Sequence, residues 1–357
     1  MSEVYTWEPS DEALAARYGL PVERIVRFDT NTSPVPPAFV ASVLRATWPL
    51  NEYPDSAYQA LTDAAATYAG AGVRPDEVIV GAGADEILDL IGKAFLPAGG
   101  AAVLPGPSYG LYPVITSQRA ARRIDVPRTV GPGGWSMDVD GIVRALTKAQ
   151  LVWLCEPNNP TGSSDGADAL ERILDAAAAV PEPPAVVVDE AYFEYTGRTV
   201  IPWRERYPHL IVVRTLSKAF ALPGIRVGWA VAARPTIARL ERVRPAGSIA
   251  TISAALGAVA LRRPEEARSR AAALAAERDW LAPRMAAAGW APYPSVTNFL
   301  LVRIGSAAEA AAAAEHLLQQ GLVPRTFAPD GPLGGHLRLT VRSREENERL
   351  LSAAATA

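Results

Sequence analysis

The sequence has little cysteine, little excess charge and no long apolar run, and each absence excludes a class of protein. Its 357 residues include one cysteine, Cys155, so no disulfide can form within the chain. The 35 Lys and Arg residues nearly balance the 38 Asp and Glu residues, which leaves no electrostatic footprint for nucleic acid or an anionic membrane. No apolar run approaches the roughly 20 residues that cross a bilayer.

The first 20 residues lack the charged start, apolar core and cleavage site of a secretion signal, so we expect a cytoplasmic protein without nucleic-acid or membrane partners. Histidine is also scarce, and neither His209 nor His336 has a partner at metal-ligand spacing. We therefore predict no metal site. What is abundant is apolar residues, at 49% of the chain, which is enough for a large core.

Between about residues 76 and 233, short β-rich runs alternate with helix-like segments. Several runs are apolar on both faces, as strands covered by helices on each side must be. The pattern predicts an α/β large domain with a mostly parallel sheet sandwiched by helices. The runs are EVIVGAG, AAVLPGPSYG, LVWLCEPNNPTG, AVVVDEAY, LIVVRTLSK and VGWAVAA.

A helix is expected directly after the first of these runs, because Ile87, Leu90 and Ile91 follow helical spacing and Asp85 falls in the first turn. Beyond residue 250 the sequence pattern changes and predicts long helices rich in Ala, Arg and Glu, with strand candidates NFLLVRI and HLRLTVR. This combination of helices and strands predicts a smaller α+β domain.

These changes in sequence pattern along the chain suggest that the protein has three parts. Residues 1–45 form an N-terminal arm that contributes to the small domain and the substrate entrance, with Trp7 and Tyr18 as candidate entrance residues. Residues 46–245 form the large, cofactor-binding domain, and residues 246–357 form the small C-terminal domain.

Different polar groups follow successive predicted strands. They are Asn159, Asp189 with Tyr192, and Lys218 with Arg226 beyond it. Ligands of open α/β sheets bind outside the carboxyl ends of the strands, so these groups should meet at one edge. Lys218 alone would be an ordinary surface lysine. Together the groups suit pyridoxal phosphate, which needs a lysine for the Schiff base and an acid that keeps its ring nitrogen protonated.

The motifs N-P-T-G, D-E-A-Y and T-L-S-K-A-F-x-L-x-G-x-R-x-G resemble those of fold-type I pyridoxal phosphate-dependent aminotransferases, and within them the histidinol-phosphate aminotransferase branch. The resemblance extends from about Phe28 to Leu350. It implies the fold-type I architecture and pyridoxal 5'-phosphate as cofactor.

The resemblance also implies roles for individual residues. Lys218 forms the Schiff base and then carries the proton between the substrate α-carbon and the C4′ carbon of the cofactor. Asp189 pairs with the ring nitrogen, Asn159 and Tyr192 hydrogen-bond the phenolic oxygen, and Tyr109 stacks on the ring.

The cofactor phosphate has its own predicted site. The backbone N–H groups of Ala84 and Asp85 open a helix, where unpaired donors and the helix dipole favour an anion. Thr215 and Ser217 add hydroxyls, and Arg226 adds a charged donor. The family also places a tyrosine of the partner subunit on this phosphate. Tyr53 matches that position, which implies a homodimer with shared active sites.

The resemblance implies three substrate-binding residues, which are Arg338, Arg325 and Asn31. Arg338 matches the arginine of the family's L-R-I-T segment, which binds the anionic end of the substrate, and Arg325 matches a second family arginine. The anion is either the phosphate of an amine or the second carboxylate of an acceptor such as 2-oxoglutarate. Near the amino end the branch usually has N-E-N-P, whereas this chain has Asn31-Thr32-Ser33-Pro34, without the glutamate.

Three functions are compatible with this pattern. The first is a ping-pong aminotransferase that takes an amino group from histidinol phosphate or an amino acid, aromatic ones included, and passes it to a 2-oxo acid. The second is a decarboxylase, another lyase or an oxidative enzyme. Threonine-phosphate decarboxylases also lack the glutamate, but they typically have threonine where this chain has Ser217. The third, a non-catalytic sensing module, is usually fused to a DNA-binding domain, for which 357 residues leave no room.

Overall fold

The structure is a computed structural model that describes residues 8–356. Its α-helices are α1 (Asp11–Tyr18), α2 (Val40–Leu44), α3 (Gln59–Ala69), α4 (Gly83–Phe95), α5 (Leu111–Gln118), α6 (Val139–Ala145), α7 (Ala167–Ala178), α8 (Arg234–Glu241), α9 (Thr251–Leu261), α10 (Pro264–Ala287), α11 (Ala307–Gln319) and α12 (Arg344–Ala354). Its strands are β1 (Val26–Arg27), β2 (Val78–Gly81), β3 (Ala101–Gly106), β4 (Arg122–Pro127), β5 (Thr129–Gly131), β6 (Gly134–Ser136), β7 (Leu151–Cys155), β8 (Ala185–Asp189), β9 (Leu210–Thr215), β10 (Gly228–Ala232), β11 (Ala291–Pro292), β12 (Phe299–Arg303), β13 (Leu322–Val323) and β14 (His336–Thr340).

Within the described residues, the central sheet has seven strands in the order β2-β10-β9-β8-β7-β3-β4. Strand β10 runs antiparallel to both of its neighbours, whereas the other pairings are parallel. The prediction of a mostly parallel sheet is therefore confirmed. Every residue of β7, β8 and β9 is buried, which explains why these strands are continuous apolar runs.

Helices cover both faces of this sheet. Side chains of β7 alternate between the two faces: Val152 and Leu154 pack with α3, α6, α7 and α9, whereas Leu151 and Trp153 pack with α4, α5 and α8. The predicted helix after β2 is α4, and its Ile87, Leu90 and Ile91 are buried as expected.

A smaller unit of α10, α11, α12 and the antiparallel sheet β11-β12-β14 has its own core. Strand β1 pairs with β13, and the backbone of Thr340 donates a hydrogen bond to the carbonyl of Phe28, so the segment after β1 is attached to this unit. The division at residues 45 and 245 stays a prediction. Trp7 lies outside the described residues, and Tyr18 donates a hydrogen bond to Glu315.

None of the helices formed by residues 8–356 is both long enough and apolar enough to cross a bilayer.

Candidate active site

A cavity of about 580 Å³ lies at the edge of the central sheet where the parallel strands end. Strands β3, β7, β8 and β9 end there, α4 begins there, and β10 starts there because it runs in the opposite direction. All but one of the residues predicted to bind cofactor or substrate line this cavity, whereas Tyr18, a candidate entrance residue, does not. The predicted residues that line it are Asn31, Ala84, Asp85, Tyr109, Asn159, Asp189, Tyr192, Thr215, Ser217, Lys218, Arg226, Arg325 and Arg338.

Tyr53 is the exception. Its side chain is not part of the cavity wall, and the residue is 95% exposed on the surface of the single chain.

Lys218 stands three residues beyond the end of β9, and its Nζ donates a hydrogen bond of 3.1 Å to the carbonyl of Thr30. Nζ also lies 5.8 Å from the ring centroid of Tyr192. Burial, with the nearby Arg338 guanidinium, lowers the pKa of Lys218 to about 8. A larger fraction of this amine is therefore neutral and nucleophilic near neutral pH than of an exposed lysine.

Asp189 is the last residue of β8 and is buried. Its Oδ1 accepts a hydrogen bond from the backbone N–H of Ala191 (3.1 Å), and its Oδ2 accepts one from the hydroxyl of Tyr112 (2.8 Å). Burial raises the pKa of Asp189 to about 6, although these two hydrogen bonds oppose the shift. The carboxyl group is therefore ionised at neutral pH and is suited to hold a protonated ring nitrogen.

An anion cradle lies at the start of α4. The residue before the helix, Ala82, offers no side-chain hydrogen bond, so the first N–H groups of the helix remain available to a ligand. The Thr215 hydroxyl donates to Ser217 Oγ (3.0 Å), and both side chains line the cavity beside Ala84 and Asp85.

Two glycines give this cradle its shape. A Cβ atom added to Gly228 would lie 2.4 Å from the amide nitrogen of Ala84, and one added to Gly83 would lie 2.8 Å from Nη2 of Arg226. At Gly228 the neighbouring atoms are backbone, so no side chain fits there, and Gly83 has a φ of +85°, which side-chain-bearing residues rarely adopt. The uncapped helix, the hydroxyls and the guanidinium therefore leave room for a phosphate group, and the donor set fits the phosphate of pyridoxal phosphate.

The side chain of Asp85 connects two other site residues. Its Oδ2 accepts a hydrogen bond from Arg226 Nη2 (2.8 Å), and its Oδ1 accepts one from the hydroxyl of Tyr109 (2.9 Å). The predicted phosphate arginine and the predicted ring-stacking tyrosine are thus held by one carboxylate.

Two guanidinium groups line the side of the cavity formed by the smaller unit. Arg325 and Arg338 exchange backbone hydrogen bonds of 3.0 Å across neighbouring segments. Arg338 Nη1 donates to Asn159 Oδ1 (2.6 Å), and its Nη2 donates to the carbonyl of Asp29. Arg325 forms an ion pair with Glu8 at 3.7 Å.

Asn31 connects the two units. Its backbone is left-handed (φ 54°), and its amide is 2.9 Å from the hydroxyl of Tyr192. The amide of Asn298 donates to the Asn31 carbonyl (3.1 Å), and the Asn31 N–H donates to Thr340 Oγ1 (2.9 Å). Burial raises the pKa of the Tyr192 hydroxyl, so that group stays protonated.

Sequence reasoning missed residues that support the site from behind. Tyr112 holds Asp189, and the only signal for it is its position three residues after Tyr109. Asn158 accepts a hydrogen bond from Ser108 Oγ (2.8 Å) and donates one to the Pro107 carbonyl (3.1 Å), so it ties the loop that carries Tyr109 to the loop that carries Asn159. In the sequence, the only feature that points to Asn158 is its position next to Asn159.

A lysine amine, a buried carboxylate and an anion cradle at one edge of an α/β sheet define a pyridoxal phosphate-dependent enzyme of fold type I. Residues 25–353 match the model of the family aminotransferase class I and II. A histidinol-phosphate aminotransferase of Roseiflexus castenholzii is 36% identical, over 98% of this chain and 94% of the relative. One of Thermobifida fusca is also 36% identical, over 96% and 94%.

Structural similarity to solved proteins supports the same family. The histidinol-phosphate aminotransferase of Sinorhizobium meliloti in complex with pyridoxal-5'-phosphate is similar with a TM-score of 0.87 and 28% identity, covering 98% of this chain and 95% of that one. The chain belongs to the class I and II aminotransferases, in their histidinol-phosphate aminotransferase branch. It is a pyridoxal phosphate-dependent transaminase that uses a small-molecule amino donor and a 2-oxo acid acceptor, and the decarboxylase alternative is not favoured.

Proposed function

We propose that the enzyme takes the amino group of histidinol phosphate and transfers it to 2-oxoglutarate. The observation that carries this choice is the pair of guanidinium groups, Arg325 and Arg338, which line one wall of the cavity. Guanidinium binds phosphate and carboxylate through two parallel hydrogen bonds, so one pair of arginines suits the phosphate of the donor and the second carboxylate of the acceptor in turn. The names of the relatives support the same donor.

We propose that the site holds pyridoxal phosphate, which supplies an electron-accepting ring when it is bound. Asp189 would hold the ring nitrogen, Asn159 and Tyr192 the phenolic oxygen, Tyr109 the ring face, and Lys218 the aldehyde carbon. The phosphate would be held by the backbone of Ala84 and Asp85 and by the side chains of Thr215, Ser217 and Arg226.

Lys218 has a second role in this proposal, which is to move a proton at the substrate α-carbon. The carbonyl of Thr30 orients its amine in the structure, and the pKa of about 8 places the group close to the operating pH, where general bases work best. Arg338 and Arg325 bind the anionic end of the substrate and so hold its α-carbon near Lys218.

Absorbance titration tests the donor. Histidinol phosphate, histidinol and L-phenylalanine are each added to the holoenzyme without an acceptor. We expect histidinol phosphate to shift the cofactor band at the lowest concentration, and 2-oxoglutarate to reverse the shift. A band shift by L-phenylalanine at a lower concentration than by histidinol phosphate would reassign the donor to an aromatic amino acid. Carbon dioxide release without an acceptor would contradict transamination.

Replacing Arg338 with lysine should raise the KM of both substrates about tenfold and change kcat less, because a lysine is a point charge and cannot grip an anion bidentately. Steady-state kinetics measure the effect. Arg234→Lys is the matched control, since Arg234 pairs with Asp76 on the surface and does not line the cavity. Unchanged KM values in Arg338→Lys would remove Arg338 from the substrate site.

We further propose that the enzyme is a homodimer and that Tyr53 reaches the cofactor phosphate of the partner subunit. Tyr53 is 95% exposed, and Val35, Leu44 and Leu50 nearby in the sequence are also exposed, which suits a surface that a second copy covers. Tyr53→Phe should weaken cofactor affinity several-fold, in keeping with the loss of a hydrogen bond to a charged group. Equilibrium dialysis of pyridoxal phosphate measures the change.

A subunit-mixing experiment separates the two possible positions of Tyr53. A Lys218→Ala subunit is paired with a Tyr53→Phe subunit, so that the single intact lysine site receives its tyrosine from the other chain. We expect wild-type cofactor affinity at that site. If the intact lysine site of the hybrid instead binds the cofactor as weakly as the Tyr53→Phe enzyme does, the tyrosine acts within its own subunit. A monomer in sedimentation would contradict the shared site.

A further inference from the structure

Tyr112 contacts two cavity residues from behind the cavity wall. It lies on α5 and is buried, and its hydroxyl donates a hydrogen bond of 2.8 Å to Asp189 Oδ2. Its ring stacks on Trp153 with centroids 5.2 Å apart and 5° between the planes, and it meets the ring of Tyr109 edge-on at 5.6 Å. Tyr112 is itself not among the cavity-lining residues.

We propose that Tyr112 is a positioning residue that keeps the Asp189 carboxylate ionised, so that the proton between this carboxylate and the cofactor ring stays on the ring nitrogen. The inference rests on the proposed function, in which Asp189 faces that nitrogen.

The physical basis is the balance between burial and hydrogen bonding at Asp189. Burial favours the protonated acid, whereas a donated hydrogen bond stabilises the carboxylate and lowers its affinity for the proton. In a site that excludes water, this hydrogen bond is stronger than it would be in solvent. Without it, the carboxylate would compete better with the ring nitrogen for the proton, and the ring would accept electrons less well.

The other charged and titratable groups around Asp189 do not replace this donor. Lys218 lowers the pKa of Asp189 and Asp85 raises it, so the two act in opposite directions. The Tyr192 hydroxyl accepts a hydrogen bond from the Asn31 amide (2.9 Å). Burial raises the pKa of Cys155 to about 12, so its thiol stays neutral. Burial and the adjacent Asp189 also raise the pKa of Tyr112, which therefore remains a donor.

The surroundings of Tyr112 prevent it from turning away. Trp153 covers one face of its ring, and the hydroxyl of Thr116, one turn later on α5, donates to the Tyr112 carbonyl (2.8 Å). The indole N–H of Trp153 donates to the same Thr116 hydroxyl at 3.4 Å. The donor is thus held in place by packing and by the helix, as positioning requires.

The test compares Tyr112→Phe with Tyr207→Phe. Tyr207 is also buried, and its hydroxyl also donates to a carboxylate, Asp175 (2.7 Å), away from the cavity. Each protein is loaded with pyridoxal phosphate labelled with ¹⁵N in the ring. In Tyr112→Phe we expect the ¹⁵N resonance to move toward the unprotonated position and kcat to fall about tenfold with KM changed less than about twofold. Tyr207→Phe should match the wild type.

A second variant covers the case in which Tyr112→Phe does not fold. Incorporation of 3-fluorotyrosine at position 112 makes the hydroxyl a stronger donor, so the ¹⁵N resonance should not move toward the unprotonated position. The inference is overturned if the ¹⁵N resonance of the 3-fluorotyrosine variant moves toward the unprotonated position. It is also overturned if Tyr112→Phe has the resonance and the kcat of the wild type. If the wild-type enzyme binds no pyridoxal phosphate, or Asp189→Ala keeps a protonated ring nitrogen, it is the proposed function that fails.

Discussion

Lys218→Ala is expected to lower kcat by at least a thousandfold. The variant loses both the amine that would bind the cofactor covalently and the base at the substrate α-carbon, and a positioned general base alone contributes on the order of 10²–10⁴-fold. No other lysine can replace it. The sequence contains three lysines, of which Lys93 pairs with Asp89 at 2.6 Å on α4, and neither Lys93 nor Lys148 lines the cavity.

The small number of lysines makes the measurement unambiguous. Borohydride reduction of the wild-type holoenzyme should leave the cofactor on the peptide that contains Lys218, and Lys218→Ala should carry no label. Lys93→Ala is the control, with turnover and labelling like the wild type. Label on Lys93 or Lys148, or normal turnover by Lys218→Ala, would contradict the assignment.

The polar residues that directly follow strands were predictable because a strand and the residues after it are recognised from local sequence alone. A buried parallel strand is recognised from its apolar run, and the polar residues after it must emerge at one edge of the sheet. Asn159, Asp189 and Lys218 each follow such a run, and the structure brings all three to one cavity. The family resemblance then supplied their expected roles, which spacing alone does not give.

Contacts between distant segments could not be predicted in the same way. Asn31 meets Tyr192 across 161 residues, because β1 pairs with β13 and carries the following segment over the cavity. The contact of Tyr112 with Asp189 requires the packing of α5 against the sheet, which periodicity does not specify. The reversed direction of β10 was also missed, since an apolar run does not show which way its strand points.

The close approach of β10 to α4 is one consequence of that reversed direction, and it can be tested at Gly228. A Cβ atom at this position would lie 2.4 Å from the Ala84 nitrogen and 2.5 Å from the Gly83 carbonyl carbon. Both atoms are backbone, so Gly228→Ala must move the start of α4 or bend β10. Such overpacking typically costs about 1–3 kcal/mol.

Gly228→Ala would displace the N–H groups that are proposed to bind the cofactor phosphate. We therefore expect the affinity for the cofactor to fall on the order of a hundredfold, which corresponds to the upper end of the overpacking cost of about 1–3 kcal/mol. Equilibrium dialysis of pyridoxal phosphate measures it, and thermal unfolding of the apoenzyme shows how much of the cost is to folding instead. Gly131→Ala is the control, because a Cβ atom there meets nothing within 4 Å. Cofactor affinity in Gly228→Ala equal to that of Gly131→Ala would mean that the phosphate does not depend on the helix start, and Arg226, Thr215 and Ser217 would then have to hold it alone.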